Sequence, residues 1–529
     1  MSFFNPHYNE NLLTIPRRWA LPGALGLIVV VGAAVRMIGI SENPPGFFTD
    51  EASIGYNAYT LLISGRDEHG EKWPILFKSL GDYKLPVIIY STVPSVALLG
   101  LTEFAVRITS ATYGTLTIVT TFLLTSVLFK DRRISVAAAL FLTIMPWHIH
   151  YSRTGFGELI SFLPFLTLGL YIFLLGVHKN QLWPLSALVL GISLHTYRAS
   201  WIILPALLLT LAILYRKELL KGWRMAISGL GIMLLVSLPI LLHLLAGNGD
   251  RSQDAGLLRL DLSAWETTRV FLIQYWSHFS PGFLFDNGDN GSITRHYLPG
   301  FGQLYTIQFP LIAIGLIGML LRLNREKTII ISLVLFYPLA GALSDTSPIS
   351  SRTILGTVVF SILSAYGLVL LNSYLSKFAH PHGRLITMVI MISVGIVTFT
   401  SFASYLNIYH KEYRQMSAGY WGWQSGPKEI INYFVTVEER YDQLIMDWEF
   451  NSPHEFFQFY APGKCYKCAV GDTLMYDPSK RQLFALKPNH LPGRYIYRTL
   501  HKVWYPNGEV AFSLTEIIGQ PGNRQLQNY

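Results

Sequence analysis

Long apolar runs alternate along the chain with short basic stretches. The runs approach the length needed to cross a bilayer, about 20 residues with a range of roughly 17 to 25. Segments 21–40, 106–128, 134–149, 159–177, 182–194, 201–215, 225–245, 303–321, 328–343, 353–371 and 385–404 read as eleven helical spans. The basic clusters Lys130/Arg132/Arg133, Lys179, Arg216/Lys217/Lys221/Arg224, Arg322/Arg325/Lys327 and Lys377/Arg384 lie between them. With the N-terminus inside, every cluster falls on the cytoplasmic side, where Lys and Arg accumulate in loops, and the C-terminus lies outside. The run 21–40 follows Arg17 and Arg18 and is too long for the core of a cleaved signal, so it reads as a retained span.

The same layout gives the outer face the long loops 41–105, 150–158, 195–200, 246–302 and 345–352, and a polar tail from about Tyr405. Leu85–Leu101 is apolar but short and holds Pro86 and Pro94; counted as a span, it would move most later basic loops outside. It is therefore expected to lie in, or dip into, the outer interface. Glu51–Ser64, with Ile54, Ala58, Leu61 and Leu62 at helical spacing, predicts a second interfacial helix. In the tail, Gln443–Asp447 and Arg494–Trp504 read as strands and Gly426–Phe434 as a helix, a small α/β domain. The expected architecture is an α-helical polytopic membrane part over 1–404 and an extracytoplasmic domain over 405–529, with no internal repeat.

Composition agrees. Hydrophobic residues make up 51% of the 529 and charged residues only 14%, where a soluble protein carries about a quarter charged. The net charge of +9 comes from clusters placed to set topology and meet anionic lipid, which removes nucleic acid as a partner.

Candidate chemistry gathers at the outer face. Asp50-Glu51 stands where an outer loop meets the first interfacial helix. Such a pair caps helices, with Thr49 or Asp50 as N-cap and Glu51 complementing the dipole. Equally, Asp50 can act as a general base on an acceptor hydroxyl, with Glu51 ordering the base or the acceptor. Asp82-Tyr83-Lys84-Leu85-Pro86 opens the second interfacial helix. Its lysine either snorkels to headgroups or neutralises the charge developing on a phosphate leaving group. His148, His150, Tyr151, Arg153 and Glu158 crowd the exit of the third span; His195, Tyr197 and Arg198 repeat the pattern, as do Asp345 and Arg352. Each alone reads as an interfacial anchor, but arginines at three outer turns suit one shared anion, since the guanidinium fork matches phosphate. The tract Asp286-Asn287-Gly288-Asp289-Asn290-Gly291, followed by Arg295-His296-Tyr297, lacks the spacing of a calcium loop and reads as a turn. Cys465 and Cys468 suggest a local disulfide outside the cytoplasm.

Asp-Glu after the first span, Lys-x-Pro at a helix start, Thr102-Glu103 to Arg107 and the loop from Arg153 to Glu158 together resemble the GT-C glycosyltransferases. The likeness is to the family-39-like bacterial group, similar to protein O-mannosyltransferases and the lipid A aminoarabinose transferase. It covers about residues 20–405 and is strongest up to 200; 420–460 looks like the outer tail of bacterial members. The resemblance implies inverting transfer of a sugar from a polyprenyl-phosphate donor to a glycan, lipid or protein acceptor on the outer side of the cell membrane. On that basis Asp50 is the expected base, supported by Glu51, and Lys84, Arg153 and Arg352 are expected to hold the donor phosphate. Asp82, Tyr83, His150, Glu158, His195, Tyr197, Arg198, His296, Tyr297 and Asp345 are the expected substrate contacts. The chain departs from the aminoarabinose-transferase pattern, with Lys84-Leu85-Pro86 in place of Lys-Pro-Pro and no acidic-x-Pro in the second outer loop. The spaced acidic pairs by which oligosaccharyltransferases of this fold hold a metal have no equivalent, so no metal or other cofactor is expected. The alternative from another class is a transporter or lipid flippase; its repeated halves and mid-membrane polar groups are not seen in the sequence.

Overall fold

The structure, a computed structural model, describes residues 20–79, 81–246, 256, 262–289, 293–378 and 383–519. Its first half runs α1 (Ala20–Met37), α2 (Thr49–Ser64), the hairpin β1 (Phe77–Ser79) and β2 (Asp82–Lys84), α3 (Pro86–Leu99), α4 (Glu103–Phe129), α5 (Arg132–Ile144), α6 (Pro146–Ser152), α7 (Gly157–Gly176), α8 (Trp183–Ser193), α9 (Ser200–Leu214), α10 (Arg216–Lys221) and α11 (Trp223–Leu245). The helices Gln308–Leu321, Arg325–Phe336, Gly356–Phe378 and Gly383–Ile408 follow.

Local chemistry sets the ends of these helices. Thr102 caps α4 by accepting from the Ala105 amide, and Asp131 caps α5 by accepting from Arg133. Pro86 and Pro146 occupy the first turns of α3 and α6, where a missing N–H costs nothing. At Pro146 the chain bends by 59° between α5 and α6. The cap of α2 is Phe48, one residue before Thr49 and two before Asp50, the expected N-caps, and Glu51 at the third position accepts its amide at 2.8 Å. Gly65, with φ 68°, ends α2 in the left-handed conformation that glycine adopts without strain.

Each of the eleven predicted spans carries a helix. Among the described residues, five helices are long and apolar enough to cross a membrane, or six if the bent pair α5–α6 is one span. Others are shorter: α8 has 11 residues and Arg325–Phe336 has 12. At 1.5 Å per residue such a helix covers about 16–18 Å, roughly half of the hydrocarbon thickness.

The tail forms a five-stranded mixed sheet in the order β4-β3-β5-β7-β6. Here β3 is Gln443–Met446, β4 Cys468–Val470, β5 Gln482–Leu486, β6 Ile496–Trp504 and β7 Val510–Gly519. β3 is parallel to both β4 and β5, and β7 is antiparallel to β5 and β6. Helices Pro427–Val437 and His454–Tyr460 cover it, and Cys465 and Cys468 are joined by a disulfide. The helix Gly383–Ile408 runs past residue 404 and leads through Tyr409–Tyr413 to Met416.

The tail does not stand apart. Ile54, Ala58 and Leu61 of α2, Ile88 and Ile89 of α3, and Ile430, Phe434, Leu444, Phe456 and Phe459 of the tail form one buried apolar cluster. Phe47 and Phe459 lie with ring centroids 4.7 Å apart. Tyr460 donates to Glu103 Oε1 at 2.6 Å, and Lys428 donates to Glu103 Oε2 at 2.9 Å. One close approach is at Gly55, where a Cβ would sit 2.5 Å from the Phe459 ring and 2.7 Å from Val106. Replacing Gly55 by Val is expected to destabilise this junction by about 1–3 kcal/mol, the usual cost of overpacking. Protease cleavage of the tail at rates equal to wild type would count against that.

Candidate active site

Asp50 lies in the first turn of α2 and Lys84 ends β2, and the hairpin brings the two side chains into an ion pair. Lys84 Nζ donates to Asp50 Oδ1; the lysine side chain is 9% exposed and the aspartate 23%, so the carboxylate is the more open partner. Both line a cavity of about 240 Å³ whose walls also include Ile54, Tyr151, Phe156, Glu158, Leu159, Tyr197, His296, Ser351 and Arg352. One lumen thus brings together six of the expected site residues: Asp50, Lys84, Glu158, Tyr197, His296 and Arg352.

Glu51 is elsewhere. It is fully buried against Arg107, whose Nε and Nη2 donate to its two oxygens at 2.9 Å each. The Phe48 and Gly155 amides also donate to it. Arg107 adds bonds to the carbonyls of Ile40, Pro44 and Gly46. Adjacent helix positions are about 100° apart, so one carboxylate of the dipeptide faces the lumen and the other faces α4. Glu51 therefore braces, through Arg107, the loop that leads into α2 and does not line the cavity.

The three arginines do not converge. Arg352 lines the cavity, whereas Arg153 is 1% exposed and donates to the carbonyls of Val35 at 2.6 Å and Asn43 at 3.1 Å, beneath the Tyr409 ring. Its guanidinium is occupied by backbone acceptors at the end of α1. Arg198 donates to Asp82 Oδ1 at 2.6 Å and to the Tyr83 carbonyl at 2.8 Å, holding the hairpin that presents Lys84. Tyr83 stands edge-on to His243. His195 bonds the Val236 carbonyl and His150 the Arg295 carbonyl, each at 2.7 Å. Tyr297 packs beside Gly288, and Asp345 is exposed on its loop. These eight, Arg153, Arg198, Asp82, Tyr83, His150, His195, Tyr297 and Asp345, are not among the residues lining the cavity.

Sequence reasoning passed over several groups. Arg295 lies within electrostatic reach of Asp50, with its guanidinium 4.1 Å from the centre of the Phe48 ring. Its place beside His296 was the available signal. Glu68 and the tail residue Glu455 had none, because only packing brings them near Asp50 and Lys84. Burial, then the neighbouring Glu68, pushes the Glu455 carboxyl up to about 8, against the pull of Lys84. Burial raises Glu68 as well, opposed by its bond from Asn57. Among the described residues no three His, Cys, Asp or Glu side chains gather where they would hold a metal ion.

Residues 84–243 match the family model described as dolichyl-phosphate-mannose-protein mannosyltransferase. No curated protein sequence matches the chain. Among solved structures, the chain is similar to ArnT from Cupriavidus metallidurans bound to undecaprenyl phosphate, at 13% identity and a TM-score of 0.53, covering 93% of this chain and 98% of that one. It is also similar to the archaeal oligosaccharyltransferase AglB from Archaeoglobus fulgidus in complex with an inhibitory peptide and a dolichol-phosphate. There the identity is 15%, the TM-score 0.56, and the coverage 84% of this chain and 64% of that one. The Archaeoglobus fulgidus oligosaccharyltransferase tethered to an acceptor peptide gives 12% identity and a TM-score of 0.57, over 94% and 74%. A helical membrane bundle, a small C-terminal sheet and a family match that starts at the cavity lysine together give the chain the fold of these glycosyltransferases and, over residues 84–243, a likeness to the mannosyltransferase family.

Proposed function

We propose that the chain moves a sugar, with inversion, from a polyprenyl-phosphate donor to a hydroxyl acceptor on the extracytoplasmic side of the cell membrane. The observation that carries this reading is the Asp50–Lys84 pair in a cavity shared with Arg352. The acceptor oxygen attacks the anomeric carbon and gives its proton to Asp50, while the bond from that carbon to the phosphate oxygen breaks. The leaving polyprenyl phosphate keeps the bonding pair, and Lys84 and Arg352 offset its charge. In this reading they do so without a metal ion. Glu158, Tyr197 and His296 offer the donor sugar hydrogen-bond partners along the remaining wall. What supports the outer side is the basic clusters, which lie at the opposite ends of the helices from the cavity residues in the element order.

Purified protein given a polyprenyl-phosphate donor labelled in its sugar should release polyprenyl phosphate. Mass spectrometry of copurifying lipids should find that class of lipid bound. Translocation of an intact donor without cleavage would support the flippase reading instead. Lys84→Ala removes a charged hydrogen bond worth about 1.5–3 kcal/mol, so donor use should weaken by roughly 10- to 150-fold. An unchanged dependence on donor concentration would remove Lys84 from its role.

A further inference from the structure

The tract read from sequence as a turn feeds a chain of hydrogen bonds that the transfer step leaves unused. Asp289 accepts from the Ser350 amide at Oδ1 and from the Ser350 hydroxyl at Oδ2, both at 2.8 Å. Gln303 Nε2 donates to Oδ1 at 3.2 Å. The Ser350 hydroxyl lies 2.7 Å from that of Tyr151, which lies 3.2 Å from Nδ1 of His296. Tyr151 and His296 line the cavity, as do Ser351 and Arg352, which follow Ser350 in the chain.

A hydroxyl has one proton to donate, so such a chain has two self-consistent directions. With Asp289 ionised, Ser350 donates to the carboxylate and Tyr151 donates to Ser350. Nδ1 of His296 must then carry the proton to serve Tyr151, which leaves Nε2 an acceptor. With Asp289 protonated, each donor turns round: the carboxyl gives to Ser350, Ser350 to Tyr151 and Tyr151 to Nδ1. The imidazole proton then sits on Nε2.

We propose that Asp289 is a positioning residue that sets, through Ser350 and Tyr151, which nitrogen of His296 carries the proton. It thereby decides whether the cavity wall offers an acceptor for a sugar hydroxyl or a donor for a phosphate oxygen. The choice of those ligands rests on the transfer reading above, whereas the proton linkage does not.

The charge state supports this. Burial pushes the Asp289 carboxyl up to about 7, against the two Ser350 bonds that favour the anion. Burial, then Arg295 and His150, hold His296 well below its ordinary range, so the ring is neutral and changes tautomer instead of charge. The other titratable or charged groups facing the chain are His150 from α6, Tyr197, Tyr413, Arg295, Arg352 beside Ser350 and, across the cavity from Tyr151 and His296, Asp50, Lys84 and Glu158.

Nitrogen-15 spectra of the full chain labelled at histidine would test the linkage, with His296 identified by signals lost in His296→Gln. As pH falls from about 8.5 to 5.5, wild-type His296 should pass from the Nδ1–H to the Nε2–H form with a midpoint near 7. Asp289→Asn should hold the Nε2–H form throughout, because its amide donates to Ser350 as the protonated acid does. Ser350→Ala should leave the tautomer independent of pH. One unvarying tautomer in wild type, or an Asp289→Asn variant that titrates like wild type, would overturn the proposal. A pH-linked tautomer in a chain that cleaves no donor would overturn the reading of the cavity and leave the linkage standing.

Discussion

Asp50→Asn is expected to lower the turnover of sugar transfer by about 10²- to 10⁴-fold, the usual contribution of a positioned general base. The amide occupies the same volume and keeps an oxygen toward Lys84, so the cavity shape and the affinity for the donor should survive. The measurement is a split: turnover falls while the retention of polyprenyl-phosphate lipid, read by mass spectrometry, stays near wild type. Full activity in Asp50→Asn would remove the assigned base. Loss of both turnover and bound lipid would instead mark Asp50 as a holder of the cavity. The contrast with Glu51 sharpens the test, since that neighbouring carboxylate is bound by Arg107 and two backbone amides and faces away from the lumen.

The second large effect concerns stability. Arg107→Met should destabilise the folded chain by about 3–5 kcal/mol, because it leaves the Glu51 carboxylate buried and unpaired. Both side chains are 0% exposed, so water cannot replace the lost partner. Arg107 also holds three carbonyls of the loop that leads to Asp50, so the loss reaches the cavity as a displaced base. A double variant, Glu51→Gln with Arg107→Met, should recover part of the loss, since no full charge is then stranded. Thermal unfolding in detergent checks both expectations. A single variant as stable as wild type would show that Glu51 is not held as an ion in the interior.

The helical bundle was legible because a bilayer demands long apolar runs, and two strands of the tail, β3 and β6, because they stand as short strand-like runs in an otherwise polar segment. The break within the predicted span 134–149 was not legible: it was read as one helix, and Pro146 bends it by 59°. Which side chains face the lumen was not. Asp50 and Glu51 are equivalent to any argument from local pattern, and only the position of Arg107, 56 residues away, separates them. Arg153 looked like a phosphate fork because its outer-turn neighbours are polar, yet the carbonyls of Val35 and Asn43 turn it inward. Glu455 was beyond reach, since it comes to the site only through the packing of Phe456 and Phe459 against α2 and α3.

By itself, the sequence determined that this chain lives in a membrane, that its polar chemistry collects at one face, and that an acidic residue and a lysine stand at the starts of two helices there. Those properties follow from composition and near-neighbour spacing, which each segment carries alone. The tertiary structure decided that Asp50 and Lys84 meet, that Glu51 and Arg153 turn inward, and that the tail shares a core with the first outer loop. The reason is that burial and ion pairing are properties of contacts between distant segments, and no single segment encodes its partner.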